Sequence, residues 1–85
     1  MKPSIETTIR PTQGHITVRD ASDSQRESAL TAALAAAGEW GVREGDAVEI
    51  RKPASHFIGG GALRDAVKSA TRDARDAAKA ALKSA

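Results

Sequence analysis

Apolar and polar residues alternate through the first part of the chain and then change to a helical period. From Ser4 to Arg10, Ile5, Thr7 and Ile9 fall on one side and Glu6, Thr8 and Arg10 on the other, the period of a strand with one wet face. Pro11-Thr12-Gln13-Gly14 reads as a turn, with proline presetting one angle and glycine free to take a positive one. Residues 15–19 alternate again, with Ile16 and Val18 inward, so the two strands form an antiparallel hairpin. Beyond the polar residues 20–23, Leu30, Ala33, Leu34 and Ala37 recur at three- and four-residue spacing and predict a helix. Ser24 and Glu27 have the capping-box spacing at its start, Asp20 and Asp23 suit its dipole, and Gly38 supplies a left-handed residue to end it. Gly45-Asp46 marks a turn, after which Val48 and Ile50 alternate with Glu49 and Arg51 as a further strand closed by Pro53. Residues 54–58 stand open between a short fourth strand and a loop in which Phe57 and Ile58 plug the core.

The next segment is different in kind. Gly59-Gly60-Gly61 is the sharpest boundary in the chain, because glycine loses the most freedom on ordering. It divides a core of residues 1–58 from residues 62–85, with 59–61 as a hinge. Residues 62–85 are alanine-rich and free of glycine and proline, so helix propensity is high. At about 100° per residue, Arg64, Lys68, Arg72, Arg75, Lys79 and Lys83 fall within one basic arc. Asp65, Asp73 and Asp76 lie beside it, and Leu63, Ala66, Val67, Ala70, Ala74, Ala77, Ala78 and Ala81 form an apolar face. A buried methyl contributes about 0.8 kcal/mol against up to about 3 for a leucine. Such a face can pack on another helix and holds a membrane poorly. The expected architecture is α+β: a small antiparallel sheet in the order strand, strand, helix, strand, with a C-terminal amphipathic helix.

Size narrows the function. The chain has 85 residues, and its plausible core is Ile5, Ile9, Ile16, Val18, Leu30, Leu34, Trp40, Val42, Val48, Ile50, Phe57 and Ile58. At roughly 1.5–3 kcal/mol each, these residues make a thin core that a second copy or a partner would complete, so a homodimer is expected. With no cysteine there is neither a disulfide framework nor a thiolate metal site. No long apolar run or signal-peptide pattern is present, and the expected location is cytoplasmic.

Charge is unevenly distributed. Residues 1–58 carry seven basic and eight acidic side chains, whereas residues 59–85 carry six and three. The six cations of the basic arc therefore point to phosphates or an acidic protein surface. The alternative for them is a solvated helix face supported by neighbours such as Arg72 and Asp76. Arg10, Arg19, Arg51 and Lys52 form a second basic set on the outward strand faces, diluted by Glu6 and Glu49.

Other chemistry is weakly represented. The triple glycine lacks the Lys-Ser/Thr of a phosphate-binding P-loop. His15 and His56 have no acidic cluster at metal-ligand spacing, and no serine–histidine–carboxylate set stands out. The expectation is a non-enzymatic protein without cofactor, metal, small-molecule substrate or membrane association. Trp40 and Phe57, the only large aromatics, are candidates for core packing or partner binding, and two rings make no base-stacking platform.

Two fragments also resemble a known family. TQGHITV at residues 12–18 and GVREGDAVEIRK at residues 41–52, with a helix between, are similar to the swapped-hairpin DNA-binding domain of AbrB-like transition-state regulators and addiction-module antitoxins. Gly14, Ile16, Val18, Val42, Gly45, Asp46, Val48 and Ile50 match its pattern. Where family members usually carry proline after the second strand, this chain has Arg19-Asp20. The resemblance implies dimeric operator binding, with Arg10, Arg19, Arg26 and Arg51 as DNA contacts. The first expectation is thus a small bacterial or phage DNA-binding regulator, with an antitoxin as one version. The alternative is a small phage or mobile-element inhibitor that binds and blocks a host protein complex, in the manner of an anti-CRISPR.

Overall fold

The computed structural model of the chain describes residues 2–84. Strands β1 (Ser4–Arg10) and β2 (Gln13–Arg19) pair antiparallel, from Ser4 opposite Arg19 to Arg10 opposite Gln13. Helix α1 (Asp23–Ala37) and a short 3-10 turn (Gly38–Trp40) lead into β3 (Gly41–Glu44), β4 (Ala47–Arg51) and the long helix α2 (Gly60–Ser84). Strand β4 returns beside β2, giving the antiparallel order β1-β2-β4-β3. The α+β architecture and the C-terminal helix are as expected.

Both helices pack on the sheet face that carries Ile16, Val18, Val48 and Ile50, and on each other. Alanine makes this possible. Ala29, Ala33 and Ala37 of α1 and Ala74 and Ala78 of α2 are buried around Leu30, and small side chains let helix backbones approach closely.

The fourth strand lies outside residues 54–58. It is β3, which the Gly45-Asp46 turn folds onto β4 with Glu44 opposite Ala47. Gly45 has φ +57° at the first central position, as a type II′ hairpin requires. Because Val48 and Ile50 must face the helices, this register points Gly41 and Arg43 inward and Val42 outward. Val42 is therefore exposed, contrary to its place among the expected core residues. Arg43 reaches α1 instead, with its guanidinium nitrogens 3.0 and 2.8 Å from the two carboxylate oxygens of Glu27. Accepting these bonds and the adjacent positive charge hold the Glu27 carboxyl below its ordinary range. A lowered carboxylate pKa contributes stability that is present above the unfolded value and lost as pH falls through the folded one. Glu27→Gln should thus cost a small amount of stability at neutral pH, and the gap should close in acid; urea melts across pH measure it.

Three further expectations are corrected. The capping box lies two residues earlier, with Ser22 and Gln25 each accepting the other's backbone N–H at 3.1 and 3.0 Å. Ser24 and Glu27, with the same spacing, sit inside the helix that starts at Asp23. Gly14 is no turn residue: the loop is Pro11-Thr12, and Gly14 lies within β2 opposite Ile9 and Ile50. Its missing side chain is what matters, because a Cβ there would stand 2.1 Å from Thr71 Oγ1 of α2. Gly41, on the other side of Ile50, likewise makes room for Ala37. Lastly, Gly60 and Gly61 belong to the first turn of α2, and Gly60 takes φ +56° as the chain turns into it.

Ile9, Phe57 and Ile58 are exposed instead of buried, Phe57 by 94%. Ile9 sits on an outer strand near the hairpin loop. The loop after β4 is closed by the Lys52 ammonium, which donates to the carbonyls of Pro53 and His56 at 3.3 and 2.7 Å. His56, instead of Phe57, packs inward, edge-on to Trp40 at 5.5 Å and 3.2 Å from Glu39. Phe57→Ser should leave thermal stability within about 0.5 kcal/mol of the native chain, and a calorimetric melt checks this directly.

Candidate nucleic-acid interface

The apolar stripe of α2 fixes which way its charges point. Val67, Thr71, Ala74 and Ala78 are fully buried against the sheet and α1. Thr71 is the one polar member, a residue the apolar pattern does not single out; its hydroxyl is satisfied by donating to Val67 O at 2.7 Å. With this stripe held, Arg64, Lys68, Arg72, Lys79 and Lys83 are exposed. None of the five forms an ion pair among the described residues. Arg75, the sixth of the arc, is half-buried and bonded to Asp76 at 3.0 Å. The Arg72–Asp76 pairing is replaced by that neighbour contact.

From Arg64 to Lys83 the helix rises about 28 Å, close to eight phosphates of one duplex strand. The ridge carries no asparagine or glutamine, the side chains that read adenine edges. Its lysines and arginines suit backbone contact, which positions a protein on a duplex, and are also the side chains that read guanine edges.

The helix-free face of the sheet is different. Arg19 Nε lies 2.7 Å from Glu6, and Arg51 lies 2.9 Å from Glu44. His15 Nδ1 lies 2.9 Å from Glu49. Two of the strand arginines expected to contact DNA thus already face a carboxylate. Arg10 has no such partner among the described residues, and lines a cleft of about 250 Å³ with Thr8, Gln13, His15 and Glu49. Arg26 stands apart on α1, bonded to Asp23 at 3.1 Å and to the Ala21 carbonyl at 3.3 Å. The structure therefore does not bring the basic candidates into one surface.

Of the two aromatic candidates, Trp40 packs against the core and Phe57 projects into solvent. Among the described residues, no group of three His, Asp or Glu could hold a metal, and no helix is long and apolar enough to cross a membrane. Compared with known protein families, with curated sequences and with solved structures, the chain matches none.

Proposed function

We propose that the chain is a small, non-enzymatic, cytoplasmic DNA-binding regulator that grips duplex phosphates through α2. The observation that carries this reading is the row of five exposed cations, Arg64, Lys68, Arg72, Lys79 and Lys83, none with a carboxylate partner among the described residues. Free cations on a rigid, docked helix release condensed counterions on meeting phosphate and need no prior breaking of ion pairs. The paired arginines Arg19, Arg26 and Arg51 contribute less, because each must first exchange a carboxylate for a phosphate. Arg10 has no carboxylate to exchange among the described residues, but it lies on the helix-free face, away from the ridge. Sequence selection would come from arginine or lysine contacts to guanine edges, from a homodimer of the swapped-hairpin kind, or from DNA shape. The test is gel retardation of a short duplex across salt concentrations. Affinity should fall steeply with salt, and duplex that stays unbound at low salt overturns the reading.

A second reading has its own support. Phe57 is nearly fully exposed on a loop closed at its base by Lys52, and an ordered aromatic in solvent suits insertion into a protein pocket. This fits the inhibitor of a host protein complex, in which the same chain would co-purify tightly with one protein and lose it on Phe57→Ser.

A further inference from the structure

The two outer strands of the sheet are not alike. Strand β3 is four residues long and tied down by Arg43 to Glu27 and by Arg51 to Glu44. Strand β1 has seven residues, unbroken register with β2 and no proline or bulge. In an antiparallel ladder alternate residues bond to each side, so every second residue of β1 turns its N–H and C=O away from β2. Among the described residues, no other strand pairs with that edge.

Unpaired edges of this length are usually blunted. Lysines are one way to do this, but here they gather at only one end of β1, around Ser4 and Ile5. Helix α2 runs over β1 and β2, and Lys79, Leu82 and Lys83 meet Lys2, Pro3, Ser4 and Ile5 around an open cleft of about 560 Å³. Its three lysines have no ion-pair partner among the described residues, and Ile5 and Leu82 supply an apolar floor. Ile9, farther along the same strand, is 46% exposed.

We propose that the β1 edge is a docking site for an acidic segment of another polypeptide, which adds as a fifth strand. Its backbone would bond the free groups of β1; on the face turned toward α2, apolar side chains would cover Ile9 and, nearer Ser4, carboxylates would meet Lys2, Lys79 and Lys83. Strand addition draws affinity from main-chain bonds and selectivity from alternate side chains. A second copy fits this edge less well, since it would set its own cationic α2 across the seam from this one. The site does not depend on DNA binding, because it uses the β1 backbone and only one end of the basic ridge.

The test titrates a capped peptide of sequence Val-Thr-Val-Thr-Glu-Thr-Glu, whose two valines and two glutamates share one face of a strand, into isotopically labelled protein. Slowed hydrogen exchange at alternate β1 amides is expected, with affinity reduced about tenfold by combined Lys2→Gln, Lys79→Gln and Lys83→Gln. The same peptide N-methylated at alternate amides should not bind, a control that leaves the protein untouched. Shifts confined to α2, with β1 amides unchanged, overturn the proposal and leave only charge adsorption. Concentration-dependent protection of β1 without peptide also overturns it, in favour of a second copy. Duplex retardation with no β1 response removes this site and keeps the DNA reading.

Discussion

Glutamine at all five exposed ridge positions, Arg64, Lys68, Arg72, Lys79 and Lys83, should lower duplex affinity on the order of a thousandfold at low salt. Each phosphate contact contributes about 0.9 to the slope of log affinity against log salt. Five contacts therefore predict that the native chain loses about 500-fold in affinity between roughly 50 and 200 mM salt. The variant should show almost no salt dependence. Folding should be unaffected, because glutamine is a good helix former and none of the five side chains forms an ion pair among the described residues. Circular dichroism on the same sample checks that point. A variant that retards DNA like the native chain, with the same slope, would end the proposed function.

The largest effect on stability is expected where α2 meets β2. Gly14→Ala places a methyl against the Thr71 side chain, whose Oγ1, Cγ2 and Cβ would lie 2.1, 3.0 and 3.1 Å away. Thr71 is branched at Cβ and fully buried, so it cannot swing aside, and overpacking of this kind costs about 1–3 kcal/mol. For a chain of this size that is a drop of at least several degrees in Tm. Thr71→Ala removes the two nearest obstructing atoms. The double variant should then regain much of what Gly14→Ala loses, giving a coupling of about 1 kcal/mol or more in a thermodynamic cycle. Strict additivity would mean that α2 does not cross β2 at this point.

These residues also show what was legible beforehand. Alternation is enough for β1, β2 and β4, because Ile16, Val18, Val48 and Ile50 bury one face and, Ala47 apart, their neighbours do not. The charge sorting of α2 was legible for the same reason, since one stripe is apolar throughout except for Thr71. Strand β3 was hidden because its inward positions are a glycine and an arginine, neither of which reads as core. The start of α1 is ambiguous in sequence because Ser22–Gln25 and Ser24–Glu27 share a spacing, and only the backbone of Ser22, extended at ψ 164°, selects the first. Gly14 shows a further limit. A glycine beside a proline turn looks like part of the turn, while the need for it comes from a helix nearly 60 positions later in the chain. Hydrophobicity alone favours Phe57 inward, but His56 occupies the place against Trp40.

The side of α2 opposite its cations is also part of the only core among the described residues, and this sets what can change over generations. Inserting or deleting one residue between Val67 and Ala78 would rotate everything beyond it by about 100°, bringing cations toward the sheet and alanines toward solvent. Substitution along the ridge is therefore open to drift while its spacing is not. Related chains should vary in which basic residue stands at each step, and should lengthen or shorten this helix only at its ends.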